Sequence, residues 1–435
     1  MKRYLGNDPD LFAKLASELA ISTRDGAVAR QVNEIVTAVR DNGDSALIAL
    51  TERFDGAKLT SEELRLSPDA LSVAVEDLTA KDRTAIEEAI GNVQQFHDNS
   101  RPKDWTTINS HGGEVGERYY PLRRVGIYVP GGQVPLVSTV IMTLTLAKAA
   151  GVSEIAVATP PRPDGSIESI LLAAISLCGG SEVYPIGGAQ AIAALAYGTE
   201  TISPVDKIFG PGNAYVNEAK RQLFGIVGID LLPGPSEVMV VCDETAQPAC
   251  VAADLLAQAE HGSGKENVFL ISENASLIEQ ALDEIKHQLE PLGRRDAIQR
   301  TLQSGLYVIH ADSEERIVEV ANFVAPEHLE LQVHDEKIER LTGAIKSAGA
   351  ILQGHCTPTV LGDFAAGPSH VLPTGRSSRF SSGLRLNDFL RRSSIVRYDR
   401  DALRKAEAVC SSFSEMENLD AHGRSLTIRL EKPET

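Results

Sequence analysis

The sequence predicts an α/β fold with two units of parallel sheet, a helical N-terminal segment and a C-terminal tail. Three observations carry that prediction. Short apolar runs alternate with amphipathic stretches of helical period through the middle of the chain, the pattern of successive βαβ units. Several of those runs end in Gly- and Pro-rich turns. The 435 residues, 43% hydrophobic and 23% charged, suffice to bury more than one core.

Taken in order, residues 8–122 read as mostly helical and charged. Ala27–Arg53 sets Val32, Ile35, Val36, Val39, Ala46, Leu47 and Leu50 at roughly helical spacing, interrupted at Asn42-Gly43. Leu78–Phe96 is a second amphipathic helix. The polar stretch Pro102–Glu117, with Gly112-Gly113, is a loop or hairpin. The character changes at Arg124. Val125–Val129 is a buried strand closed by Pro130-Gly131-Gly132, and Leu136–Ala150 is a long apolar helix stopped by Gly151. Ile155–Ala158, Val183–Ile186 and Lys207–Phe209 are further strands; Ile167–Leu177, Gln190–Tyr197 and Tyr215–Phe224 are the helices between and after them. Beyond Pro233-Gly234-Pro235 the alternation resumes with strands Val238–Val241, Val268–Ile271 and Leu306–Ile309. Their helices are Ala249–Glu260, Leu277–Leu289 and Glu314–Phe323. Two α/β units joined near Tyr128 and near Pro235 account for this. The tail is rich in arginine from Arg376 to Lys405, as a solvated or subunit-facing surface is. Helix Asp401–Phe413 and the stretch Leu426–Leu430 close the chain.

Composition narrows the function. Lys and Arg total 42 against 60 for Asp and Glu, a net charge of −18, which disfavours nucleic acid and anionic membrane surfaces as partners. No apolar run reaches membrane-spanning length, and the polar start lacks the core of a secretory signal. The five cysteines are scattered without a C-x-x-C pair, so neither a disulfide framework nor a thiolate zinc site is expected. A reducing cytoplasm is the expected compartment.

No G-x-G-x-x-G follows a strand, and no Walker loop, H-E-x-x-H or G-x-S-x-G occurs. The Gly-rich turns at Pro130–Gly132, Gly187–Gln190 and Gly210–Asn213 remain. Each alone is an ordinary βα turn. Three in one unit, with Gln190 and Asn213 at helix starts, point to a cofactor crevice at the strand ends. Gln258 and His261 stand three apart on one helix face, either as a hydrogen-bonded core pair or as ligands. Glu327-His328 follows Pro326 at the end of a helix, where an acid beside an imidazole is suited to proton transfer or is simply a surface pair. Gly362–His370 reads as a loop with a carboxylate, Asp363, and an imidazole, His370; Glu417 and His422 stand near the C-terminus. One Asp, two His and an amide oxygen make a mixed N/O set suited to zinc.

These segments together are specific. Gly126–Gly132, Gly187–Leu195, Gly210–Tyr215, Gly234–Val238, Asp254–His261, Ala325–Leu329, His370–Thr374 and Leu419–His422, in that order, resemble the histidinol dehydrogenase family over nearly the whole chain. The resemblance implies two incomplete Rossmann-like parallel-sheet domains. Residues 1–127 with 236–375 would form the first, 128–235 the second, cofactor-binding one, and 376–435 a dimerisation arm. It implies a zinc-dependent, NAD-linked, four-electron oxidation of L-histidinol to L-histidine through L-histidinal, with one Zn2+ per subunit. Carried over by position, Gln258, His261, Asp363 and His422 are the metal ligands, and Tyr128, Gln190 and Asn213 contact NAD. Ser236, His328, His370 and Glu417, with the metal-ligand residues, hold the substrate, and Glu327 and His328 are the acid–base pair. A homodimer with swapped tails is also implied, so that Glu417 and His422 act in the neighbour's pocket. Ser369, Phe364 and Asn418 depart from frequent family residues (Asn, Tyr and Gly), and none of these removes a reactive group. Two other functions are compatible with parts of the pattern: a relative oxidising another polyol such as sulfopropanediol, and a zinc hydrolase. The first should alter the imidazole-gripping set, and the second leaves the Gly-rich crevice unexplained.

Overall fold

In a computed structural model of the chain, residues 1–19, 26–131 and 135–431 are described; Gly132, within the first Gly-rich turn, lies outside the described residues. Two parallel sheets organise the molecule. One runs Glu182–Tyr184, Glu154–Ala158, Arg124–Tyr128, Lys207–Phe209, Gly228–Ile229, with every neighbour parallel. Numbered by their sequence, these strands lie in the order 3-2-1-4-5. The other sheet repeats this order with Leu306–His310, Asn267–Ser272, Glu237–Cys242, His328–Gln332 and Ala350–Gln353, and adds Lys2–Leu5 as a parallel edge strand. In each sheet the order reverses beside its first-formed strand, and ligands of open α/β sheets bind at such switch points.

The five-stranded sheet is buried on both faces because its strands are apolar throughout. Val125 and Ile127 face the helices Val137–Ala150 and Ser169–Leu177, while Tyr128 faces Gly188–Tyr197 and Ala214–Leu223. The N-terminal helices add to these layers. Gly26–Asp55 packs Val32, Ile35 and Leu47 on the Tyr128 side, and Pro68–Glu76 and Ala80–Asn99 pack Leu71, Ile86 and Val93 on the other. The helical segment that the sequence division groups with residues 236–375 therefore builds onto the five-stranded sheet. The interruption at Asn42-Gly43 is a kink: Gly43 has φ 53° and ψ −131°, and the Asp44 N–H released there donates to Glu200 at 2.8 Å.

In the six-stranded sheet, Leu329 and Leu331 point to the helices Leu11–Glu18, Glu314–Val324 and Asp335–Ala344. The opposite face, with Val238 and Val240, is covered by Pro248–Ala259, Ala275–Leu289 and Arg295–Gly305. His328, Glu330 and Gln332 alternate with the two leucines and pair with Val238, Val240 and Cys242, so they lie on this second face.

The sequence places Glu327-His328 at a helix end; that is corrected here. The helix stops at Val324, Ala325 turns left-handed (φ 51°), and His328 opens a buried strand. The apolar pattern does not mark this strand, because its polar residues occupy alternate positions, which reads as surface although both faces are covered. Lys2–Leu5 and Ala350–Gln353 are further strands that the pattern does not mark. Asp363, expected in a loop, lies in the short helix Thr359–Phe364. His261, expected on the helix with Gln258, falls just beyond Ala259, where that helix ends.

Pro102–Glu117 proves to be part of a hairpin: Trp105–Ile108 pairs antiparallel with Glu114–Pro121, which also pairs with Leu390–Arg397 from the tail. The tail then forms two helices, Arg400–Met416 and Asp420–Glu431, that pack on one another. Among the described residues no helix is long and apolar enough to cross a membrane.

Candidate active site

Two groups of predicted residues assemble at two different sheet edges. The first lies at the carboxyl ends of the five-stranded sheet, beside its switch point. A cavity of about 1060 Å³ is lined there by Asp55, Tyr128, Pro160, Gln190, Asn213 and Tyr215 among others. Tyr128 ends its strand with a buried ring, and its hydroxyl accepts the Gly188 N–H at 3.1 Å. Gly188 has φ 63°, which an L side chain adopts only with strain, and it opens the helix that carries Gln190. Gln190 is 1% exposed, yet its amide nitrogen has no partner. Asn213 caps the next helix, accepting from the N–H groups of Tyr215 (2.9 Å) and Val216 (3.1 Å).

The turn before Asn213 is held from beneath. Asp230 accepts the Gly210 N–H at 2.7 Å, and Lys220 donates to the Gly210 carbonyl at 2.5 Å and to Asp230 at 2.6 Å. The side chains of Lys220 and Asp230 are fully buried, so each charge depends on the other and on this turn for its neutralisation. Asp55 is a lining residue that the sequence reading missed. It is the last residue of the helix Gly26–Asp55 and carries no motif. Burial pushes its carboxyl up to about 6, and one of its oxygens has no partner.

The second group lies at the amino ends of the six-stranded sheet. Glu327 and His328 are each 5% exposed. Glu327 accepts the Glu237 N–H at 2.8 Å. The His328 Nδ1 stands 3.2 Å from the Glu237 carbonyl and 3.7 Å from Glu327; its Nε2 stands 3.6 Å from Asp363. A carbonyl only accepts, so Nδ1 carries a proton and Nε2 is the atom presented to Asp363. Burial works against a charged imidazole here, but Glu327 and Asp363 outweigh it and raise His328 to about 9. Burial pushes Glu327 up to about 8, against the pull of His328. Asp363 is held low: burial opposes this, and His328, His370 and His261 overcome it. Asp363 thus feels three imidazoles, of which His328 is the one within 4 Å. His370 itself is lowered by burial, and its Nε2 is buried without a partner.

Gln258 is 3% exposed, and neither its oxygen nor its nitrogen has a partner. An orphaned buried amide costs about 1–3 kcal/mol, which a bound group would relieve. The His261 Nδ1 faces the Gln258 backbone carbonyl at 3.2 Å, which leaves its Nε2 free to coordinate. Ser236 immediately precedes Glu237 at the same sheet edge. Gln258, His261 and Asp363 thus fit a mixed N/O metal site in their chemistry, and His422, the fourth residue expected of that site, is not beside them. Glu417 and His422 are exposed on the tail helices and make no hydrogen bond or ion pair with the others. Accordingly, no group of three or more His, Cys, Asp or Glu able to hold a metal is gathered among the described residues. Asn418 has φ 55°, which explains why Gly is common there and why Asn is tolerated.

Comparisons with known proteins identify the family. The family model for histidinol dehydrogenase matches residues 20–430. A histidinol dehydrogenase of Aromatoleum aromaticum is 42% identical over 432 residues, covering 99% of this chain and 98% of that protein. One from Geobacillus kaustophilus is 42% identical, covering 93% and 94% of the two chains. The crystal structure of histidinol dehydrogenase from Elizabethkingia anophelis superposes with a TM-score of 0.94 at 34% identity, covering 99% of this chain and 98% of that one. The chain belongs to the histidinol dehydrogenase family.

Proposed function

We propose that the chain oxidises L-histidinol to L-histidine through L-histidinal, with two NAD consumed in turn and one zinc per subunit. The observation that carries this reading is the buried set Glu327, His328 and Asp363 beside the unpartnered amide of Gln258. A dinucleotide held by Tyr128, Gln190 and Asn213 supplies the hydride acceptor, and the unpartnered Gln190 nitrogen and Asp55 oxygen are suited to its polar groups. Zinc would be held by Gln258, His261, Asp363 and His422 and would supply a fixed charge that orients the substrate.

The chain's own residues do the proton work. The Glu237 carbonyl holds a His328 proton on Nδ1, so the neutral ring presents Nε2 to accept the hydroxyl proton as hydride leaves the carbinol carbon; Glu327 and Asp363 favour the charged ring, and the share of the neutral form grows as pH rises toward 9. The product aldehyde must add water before a second hydride can leave. Glu327, raised by burial to about 8, acts through its ionised form, whose share grows as pH approaches that value: it takes a proton from the water as the water oxygen bonds to the carbonyl carbon. Ser236, His370 and Glu417 complete the grip on the substrate. His370 stays neutral and can donate or accept through its free Nε2.

The same reading makes 128–235 the cofactor-binding unit and 376–435 an arm that reaches a second copy in a homodimer. It explains why Glu417 and His422 stand apart from the site of their own chain and why Phe413 (55%) and Met416 (65%) are exposed. The five free thiols suit a cytoplasmic setting. Glu327→Gln tests the division of labour: stopped-flow should find oxidation of histidinal slowed more than oxidation of histidinol. Equal slowing of both would remove Glu327 from the hydration step.

A further inference from the structure

A second pair of carboxyls lies behind the site, and the mechanism does not use it. Glu330 is 1% exposed and sits two residues after His328 on the same strand face. One of its oxygens accepts both the backbone N–H and the hydroxyl of Thr359, each at 2.7 Å. Thr359 begins the short helix that presents Asp363 one turn later. The other Glu330 oxygen accepts from Gln332 at 3.1 Å, and the same Gln332 nitrogen donates to Asp254 at 2.6 Å. Asp254 lies one turn before Gln258 on the helix Pro248–Ala259, and its carboxyl is within hydrogen-bonding reach of Glu330. No lysine, arginine or histidine forms an ion pair with either carboxyl among the described residues.

Two carboxylates this close in a buried, cation-free setting cannot both be ionised. Glu330 accepts three hydrogen bonds and Asp254 only one, which favours the charge on Glu330 and leaves the shared proton on Asp254, whose carboxyl burial and Glu330 push upward. We propose that Asp254 and Glu330 are a proton-sharing positioning pair that locks the helices bearing Gln258 and Asp363 to the strand bearing His328. The pair touches neither substrate nor cofactor. Its bonds reach all three elements, so it fixes the spacing of groups that converge from separate parts of the chain. The inference rests on the reading of Gln258 and Asp363 as zinc ligands.

The test is zinc affinity, measured by competition with a chromogenic chelator on full-length protein whose fold is checked by circular dichroism. Glu330→Ala should weaken zinc binding about 10–100-fold, the usual effect of losing a support behind a metal ligand. Activity should return when zinc is saturating. Asp254→Asn keeps a donor where the proton was, and its zinc affinity should stay within about threefold of wild type, below a single hydrogen bond's worth. If Glu330→Ala does not fold, Thr359→Ala removes only the hydroxyl bond and should weaken zinc up to about tenfold. Wild-type affinity in a folded Glu330→Ala or Thr359→Ala protein would overturn the proposal. So would an Asp254→Asn protein as impaired as Glu330→Ala. A wild-type protein without zinc affinity would instead overturn the ligand reading, and this inference with it.

Discussion

The two parallel sheets share a strand order but work at opposite edges. In the five-stranded sheet the cavity opens at the carboxyl ends, where Tyr128 and the Gly210–Asn213 turn flank the switch point. That is where loops leaving parallel strands diverge and helix N-termini converge. In the six-stranded sheet Glu237, Glu327 and His328 lie at the amino ends. Chemistry there cannot use helix N-termini and Gly-rich turns; it uses buried side chains held by one another. The difference teaches that repeating a topology does not repeat a site. One edge is built to bind, with backbone and the orphaned Gln190 amide facing a cavity. The other is built to hold protons, with an imidazole set between two carboxyls at 3.6 and 3.7 Å.

Substitutions that separate these edges sharpen the comparison. His328→Asn, at the proton-holding edge, should lower kcat about a thousandfold, within the range for losing a general base. NAD binding by calorimetry should be unchanged; joint loss of both would mean that the edges are not separable. Lys220→Met, under the binding edge, strands the buried Asp230 charge and should cost about 3–5 kcal/mol of stability in chemical denaturation. A loss below about 1 kcal/mol would mean that the pair is solvated. Co-expressing His328→Ala with His422→Ala subunits should restore about a quarter of wild-type activity if tails are swapped. Half the dimers are then mixed, each with one intact site. No recovery would confine the tail to its own chain.

The smallest effect is a pH dependence at Asp55. Its folded pKa, about 6, lies above the ordinary carboxyl value of 3.8, so the folded chain holds this proton more tightly than the unfolded chain. Its contribution to stability is present below the lower value and is lost as pH rises to about 6. Asp55→Asn lacks that loss. Its melting temperature should gain on wild type between about pH 4 and 6 and run parallel above. A constant difference across that range would place Asp55 in solvent.

The binding edge was the more legible in sequence. Its glycines mark turns directly, and the strands and helices of residues 124–224 fall where the apolar runs predicted them. The other edge was harder to read for physical reasons. His328-Leu329-Glu330-Leu331-Gln332 puts three polar residues on a buried face, and burial by a covering helix is a tertiary fact. Asp254 and Glu330 were likewise invisible: they lie far apart in sequence and meet only because helix and strand pack. The catalytic identities came from the family resemblance. Spacing alone left Gln258–His261 and Glu327-His328 ambiguous, and the structure moved His261 off the helix and Asp363 onto one.

The central claim is that both edges serve one four-electron oxidation. The direct measurement is NADH formed per L-histidinol consumed by zinc-loaded protein, before and after chelation. Two NADH per histidine, abolished by chelator and restored by zinc, is the predicted result. One NADH with free aldehyde accumulating, or turnover indifferent to chelator, would contradict it.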